Sequence, residues 1–404
     1  SDPIRWGIGC PLEALIDDAL LLDAVEPYHR KQAAPSFRVR RWSQDALWED
    51  EEALRAHFQL LLTAHYRTRP SDLWRLLDAP NMSLFSVYKE TSTDCPLVVA
   101  LVAEEGGLSE EIVRGLYEGR ARIRGHLLAA NLILNCGAES GGALKSWRVV
   151  RIATRPDVRR QGLATQLLER VIAQAIAEGV SLFGSSFALS ADVLRFWSKV
   201  GCVPLRVSSR VSQSSGAHSL LVARPLDIAG ARCLAPLSAS APERFVDALS
   251  DPLRQLEPHL AAALGPRLAS ARGAARPPLM LSQEDWRWLA SCSYGTRPYE
   301  VAPGIAWRLV SYWLLDPTPP QLPKEIAELL IAKVLQRQRW TPLCRRFGLE
   351  SPTLAMRGVV SGLRLLFEAY APTNAQREAL RFPRGPTGEV AESLSPKESS
   401  EDSI

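Results

Sequence analysis

The chain has 404 residues, 46% apolar, 7% aromatic and 23% charged, which excludes global disorder and fits a globular protein of two or three domains. A net charge of +4 is too small to announce a nucleic-acid partner by itself. Seven scattered cysteines without a Cys-x-x-Cys pair exclude a disulfide framework and a zinc knuckle, no apolar run approaches the roughly 20 residues of a membrane span, and a reducing, cytoplasmic compartment is expected.

The chain starts at Ser1 without Met, so a longer parent is expected. An early helical stretch, FQLLLTAHYRTRP, carries His65. Residues Trp147–Thr154 (WRVVRIAT) are rich in β-branched side chains and end at Arg155-Pro156, which predicts a buried strand. Arg159-Arg160-Gln161-Gly162-Leu163-Ala164 follows, and then Leu163, Leu167, Leu168, Val171, Ile172, Ala175 and Ile176 recur at helical spacing. A strand, a glycine turn and a helix in that order leave first-turn amides without acceptors, a cradle suited to a pyrophosphate. Gly162 permits close approach, and Arg159 and Arg160 add positive charge. A second strand is predicted over 180–187. A second helix then places Val193, Leu194, Trp197 and Val200 on one face, with Gly201 as a left-handed stop. Strands over 202–207 and from His218 (HSLLVARPL) complete the α/β part.

Charge is unevenly spread. Residues 1–230 hold 27 basic and 26 acidic side chains, whereas 231–385 hold 20 and 13, and 18 of those 20 cations are Arg. From Glu243 onward apolar spacing is helical (Phe245, Leu249; Trp286, Leu289; Ile326, Leu329; Val359, Leu363), with prolines as punctuation. This predicts an all-α appendage. Its Arg337, Arg339, Arg345 and Arg346 form either an RNA surface or an ordinary solvated face. Trp286, Tyr294, Tyr299 and Trp340 either stack on bases or fill a core. The last nineteen residues, with five acids against one lysine, are expected to be disordered. No GxxxxGK[ST] loop occurs, so these residues hold no ATPase of the common P-loop type.

The order of elements around R-x-x-G-x-A resembles the GNAT N-acetyltransferases. A closer resemblance, to the bacterial tRNA(Met) cytidine acetyltransferases, is carried by Pro3-Ile4-Arg5-Trp6, Ala64-His65-Tyr66-Arg67-Thr68, Glu104-Glu105-Gly106-Gly107-Leu108, Arg151-Ile152-Ala153, Arg195-Phe196-Trp197 and Ser214-Ser215-Gly216, in order along roughly residues 3–380. The resemblance implies an α/β GNAT acetyltransferase domain, a mixed central sheet flanked by helices, followed by an all-α domain. Residues 1–41 would be a lead-in from an upstream RecA-like ATPase module, 42–228 the GNAT domain, 229–385 a helical tRNA-binding domain and 386–404 the tail. It further implies acetyl transfer from acetyl-CoA to the N4 amine of the wobble cytidine of elongator tRNA(Met), coupled to ATP in the full-length family. Acetyl-CoA would meet Ile152, Ala153 and Thr154 on the strand, Arg159, Arg160, Gln161, Gly162, Leu163, Ala164 and Thr165 in the loop, and Asp192 and Lys199 on the second helix. Asp192 has a second reading as a first-turn acid that stabilises the helix dipole.

The acid–base inventory is sparse. GNAT enzymes that act on lysine commonly use a Glu, and a Tyr on the second helix, where this sequence has Trp197; no carboxylate lies between Trp147 and Thr154. Cytidine N4 is already neutral at pH 7, so positioning and carbonyl polarisation would carry more of the reaction than deprotonation. His218 is the candidate base, with His65 a second, and for each a purely structural contact is the competing reading. Two other functions stay open from sequence: a GNAT acting on a protein or small amine, and an RNA-binding fragment inactive without the ATPase.

Overall fold

The computed structural model describes residues 37–63, 73, 76–90, 95–213, 215–273, 275–295, 297–380 and 382, with 11, 12 and 15 near the start. His65, Ser214, the acidic tail and most of the expected lead-in lie outside the described residues.

Seven strands form one sheet in the order β1-β2-β3-β4-β5-β7-β6. They are β1 (Phe37–Trp42), β2 (Met82–Lys89), β3 (Val98–Glu105), β4 (Ser146–Thr154), β5 (Leu182–Ala188), β6 (Val203–Val211) and β7 (His218–Pro225). All neighbours are antiparallel except β4 and β5. A parallel pair needs a crossover, and the helix predicted after Gly162 supplies it. β1 begins ahead of residue 42, where the resemblance sets the start of the acetyltransferase domain.

Helices α1 (Gln44–Trp48), α2 (Glu51–Thr63), α3 (Glu110–Tyr117), α4 (Leu127–Cys136), α5 (Ser140–Ala143), α6 (Leu163–Ala177) and α7 (Ala191–Lys199) flank the sheet. Leu163, Leu167, Leu168, Val171, Ile172 and Ala175 bury one stripe of α6. Ile176, expected in that stripe, lies in the last turn and is 52% exposed. Leu163 and Trp197 join Phe85, Trp147 and Leu220 on one sheet face. On the other face Phe58 and Leu61 of α2 pack on Leu84 and Leu101, while Leu128 and Leu132 of α4 pack on Leu182 and Leu221.

A helical region follows: α8 (Ile228–Leu249), α9 (Pro258–Ala271), α10 (Gln283–Tyr294), α11 (Pro303–Leu314), α12 (Lys324–Leu330), α13 (Trp340–Phe347), α14 (Pro352–Tyr370) and α15 (Thr373–Ala379). Its apolar side chains, among them Phe245, Leu264, Leu289, Leu330 and Leu363, are continuous with the core beneath α6 and α7. Prolines end some helices as expected, but α8 runs through Pro236 and Pro242. Burial of ten of its residues against the sheet and its neighbours outweighs the hydrogen bonds the prolines remove. No helix among the described residues is long and apolar enough to cross a membrane.

Candidate active site

After β4, Pro156–Val158 forms a single 3-10 turn. Arg155 clamps Asp157 through two bonds of 2.7 and 2.8 Å, and this hydrogen bonding holds the Asp157 carboxyl below its ordinary range. Arg159 donates to the carbonyl of Thr154 at 3.2 Å, folding the loop back on the strand end. Arg160 has φ +61, and Gly162, the N-cap of α6, has φ +83. Two left-handed residues so close together turn successive backbone amides towards one side, a geometry that suits an anion. Arg160 carries a Cβ in this region, a conformation that costs on the order of 1 kcal/mol.

No side chain caps α6, and its first turn holds no acidic residue. Its opening amides therefore present the positive end of a 15-residue helix to whatever lies in front of them. A Cβ on Gly162 would meet nothing within 4 Å. Glycine is required there by the positive φ, and the space it faces is open. That space is a cavity of about 560 Å³, bordered by Ile152, Thr154, Arg159, Arg160 and, from α7, Lys199.

The cavity leads to a parting of the strands. β4 and β5 pair from Ser146↔Leu182 to Val149↔Ser185 and no further, although β4 continues to Thr154 and β5 to Ala188. Beyond Val149 the edge of β4 facing β5 has no strand partner among the described residues. The Ser185 hydroxyl donates to the Val149 carbonyl at 2.9 Å, closing the ladder at the fork. The register of β4 against β3 shifts at the same level, between Leu101 and Val102.

The expected residues distribute as follows. Ile152, Thr154, Arg159, Arg160, Gly162, Leu163, Ala164, Thr165, Asp192 and Lys199 border the cavity. Ala153 does not; its side chain is buried on the opposite face with Leu84 and Leu101, so only its backbone is available here. Gln161 also points away, donating to the Asp157 carbonyl at 3.4 Å. Asp192 sits in the first turn of α7 and pairs with Arg195 at 3.5 Å. Arg195 and Phe196 border the cavity too. Neither was singled out from spacing, although both stand in the Arg195-Phe196-Trp197 stretch. Trp197 is core, stacked on Phe187 with centroids 5.9 Å apart and planes at 10°.

His218 opens β7 outside this cavity, 7% exposed. Its carbonyl accepts from Leu189, just past the parted end of β5. Nδ1 lies 2.8 Å from the Ser208 carbonyl. A carbonyl only accepts, so Nδ1 donates there; buried Nε2 has no partner among the described residues.

In the helical region Arg337, Arg339 and Arg345 are exposed, and Arg337 has φ +52. Arg346 is tied to Glu257 at 2.6 Å. Trp286 and Tyr299 are buried in the core, while Tyr294 and Trp340 are half-buried and pack against it. Trp286 and Tyr294 meet Phe367 edge-on, Tyr299 meets Trp340, and Trp340 donates to Glu300 at 2.8 Å.

A mixed sheet whose one parallel pair parts in front of an R-x-x-G-x-A helix start defines a GNAT acetyltransferase domain. Residues 56–178 match the sequence profile of that class described as GNAT acetyltransferase 2. Within the class, the chain is similar to the tRNA(Met) cytidine acetyltransferases. It is 38% identical over 95% of its length to the tRNA(Met) cytidine acetyltransferase of Nitrosococcus halophilus, covering 51% of that protein. It is 36% identical over 95% of its length to that of Haloferax volcanii, covering 50%. The chain thus spans about half the length of the curated relatives it matches. Among solved structures, the ribosomal-protein-S18-alanine N-acetyltransferase of Escherichia coli aligns over 48% of this chain and 96% of its own at 13% identity and a TM-score of 0.32.

Proposed function

We propose that this chain transfers the acetyl group of acetyl-CoA to the N4 amine of cytidine in tRNA(Met), at the wobble position of the elongator species. The observation that carries the reading is the similarity to tRNA(Met) cytidine acetyltransferases along nearly the whole chain, in a protein whose GNAT fork and loop are intact.

The donor fits the site on three counts. Uncapped amides at α6 suit a diphosphate, Arg159, Arg160 and Lys199 supply cations around it, and the unpaired edge of β4 suits the amides of a pantetheine arm. Acetyl-CoA supplies an activated thioester. The backbone beyond Val149, at Ile152 to Thr154, would hold that thioester carbonyl and polarise it as an oxyanion donor does. The N4–acetyl bond forms as the C–S bond breaks, and N4 loses a proton while the thiolate gains one.

In this reading the neutral His218 ring takes the N4 proton at Nε2, which is buried near the parted end of β5 with no partner among the described residues. In this reading the Ser208 carbonyl fixes the tautomer. His218→Ala is expected to lower the single-turnover rate about 100-fold at saturating acetyl-CoA; an unchanged rate would remove the role. Arg337, Arg339 and Arg345 belong to the tRNA surface in this reading, with Arg346 contributing less because Glu257 already pairs with it.

The test is to incubate the chain with labelled acetyl-CoA and total tRNA and ask where label goes. Label in tRNA supports the reading. Label in protein or in a small amine would favour a GNAT of another specificity, and tRNA retention without transfer would favour an RNA-binding role alone.

A further inference from the structure

β6 is the terminal strand of the sheet, yet its outer side is covered. A cavity of about 220 Å³ lies there, between the C-terminal end of α4, β6 and α8. Its floor is apolar, with Leu220, Phe245 and Leu253. Two cations border it, Arg206 from β6 and Arg244 from α8, and no carboxylate does. Among the described residues neither guanidinium has an ion-pair or hydrogen-bond partner, whereas Arg346, Arg276, Arg155 and Arg148 each have one. Burial raises the Cys136 thiol above its ordinary range while Arg206 and Arg244 both pull it back, so the two charges converge on one end of α4.

Register places this cavity relative to the fork. Val207, on its border, opposes Leu220, and Leu220 opposes Phe187 in the parted end of β5. The cavity is thus level with the fork and two strand spacings to one side, about 10 Å away. The register shift between Pro204 and Arg206 sets Arg206 opposite Leu221, whose side chain packs with α4. α6 and α7, which border the donor cavity, lie on the other face. Arg206 therefore stands on the face away from the donor helices, whereas the apolar floor with Leu220 belongs to the core on their face, so the cavity spans the edge strand.

We propose that Arg206 and Arg244 form a phosphate site for the acceptor strand, binding one phosphodiester of single-stranded RNA beside the nucleotide presented at the fork. The inference rests on the RNA-acetylating reading above. Two guanidiniums can grip one phosphate bidentately, and the apolar floor accepts the adjoining sugar or base edge. Strand spacing makes the distance one that a splayed loop spans within one or two nucleotides.

The experiment compares wild type, Arg206→Gln/Arg244→Gln and, as a charge control, Arg210→Gln/Arg232→Gln, both exposed and outside the cavity. An anticodon stem-loop oligonucleotide is titrated at several salt concentrations, and acetyl-CoA affinity is measured on the same samples. The cavity variant is expected to bind RNA about tenfold more weakly, with a salt slope smaller by about one phosphate, at unchanged acetyl-CoA affinity, and the control to lose far less. Equal RNA affinity and slope in wild type and cavity variant would overturn the site, as would an equal loss in the control. Inorganic phosphate is added as a competitor: relief of the wild-type advantage over the cavity variant supports a phosphate site, and persistence of the full advantage contradicts it. If wild type binds acetyl-CoA but no RNA, the RNA reading itself fails.

Discussion

Gly162 and His57 illustrate two ways in which one residue is fixed by its surroundings. At Gly162 the constraint is backbone, φ +83 in front of an open cavity. Gly162→Glu adds strain of about 1–2 kcal/mol and places a carboxylate where a diphosphate is expected. Isothermal titration should then detect no acetyl-CoA binding by a variant that still unfolds cooperatively; retained affinity would contradict the assignment. At His57 the constraint is burial, with 0% exposure on the inner face of α2. Nδ1 donates to the Ala53 carbonyl at 2.5 Å, while the Ser86 and Tyr88 hydroxyls lie 2.7 and 2.8 Å from Nε2. Burial lowers its pKa from 6.5 to about 4. The unfolded chain therefore binds a proton in this range that the folded chain does not. Stability attributable to His57 is complete above about pH 6.5, falls as pH drops towards 4, and the loss reaches about 3 kcal/mol. Urea unfolding of wild type and His57→Gln across this window should show the extra slope only in wild type. Parallel profiles would contradict it.

At the scale of elements, the sequence made local features legible and long-range pairings obscure. The run Trp147–Thr154 closed by Pro156 reads as a strand, and Gly201 reads as a left-handed stop, with a φ of +82; Gly162 reads as a close-approach glycine, and its φ of +83 adds a backbone requirement. Such signals are local because proline and glycine act on their own backbone. The fork between β4 and β5 has no local signature, since strand pairing joins residues distant in sequence. Ser185 gave no signal at all. Glu105 stands in a stretch that carries the resemblance, but its role was not legible: it receives Arg148 Nε at 2.6 Å and the Leu128 amide at 2.6 Å, joining β3, β4 and the start of α4. The Glu105 side chain is fully buried and that of Arg148 12% exposed. Glu105→Ala strands a buried guanidinium and uncaps α4, so a loss of about 3 kcal/mol is expected in denaturant unfolding. A loss below about 0.5 kcal/mol would place this pair among weak surface bridges. Arg346 is a related case, because its partner Glu257 is distant in sequence.

For the whole molecule, segment charge separated a near-neutral sheet domain from an arginine-rich helical region, but did not reveal that they share a core. Phe245, Leu264 and Leu330 continue the cluster that contains Trp197 and Leu220. Cutting the chain after Leu226 would expose that surface and uncover β6, the terminal strand. The isolated fragment is expected to aggregate or unfold, and the intact chain to melt in one calorimetric transition; two separable transitions would contradict the shared core. The sheet, α6 and α7 then supply a donor site, while the far side of the sheet and the arginine-bearing helices face the acceptor in the proposed reaction. The most direct measurement of that proposal is nucleoside analysis of tRNA after incubation with acetyl-CoA and either wild type or Gly162→Glu. N4-acetylcytidine in elongator tRNA(Met) with wild type and none with the variant is the predicted result; no N4-acetylcytidine from a wild-type chain that binds both acetyl-CoA and tRNA would contradict it.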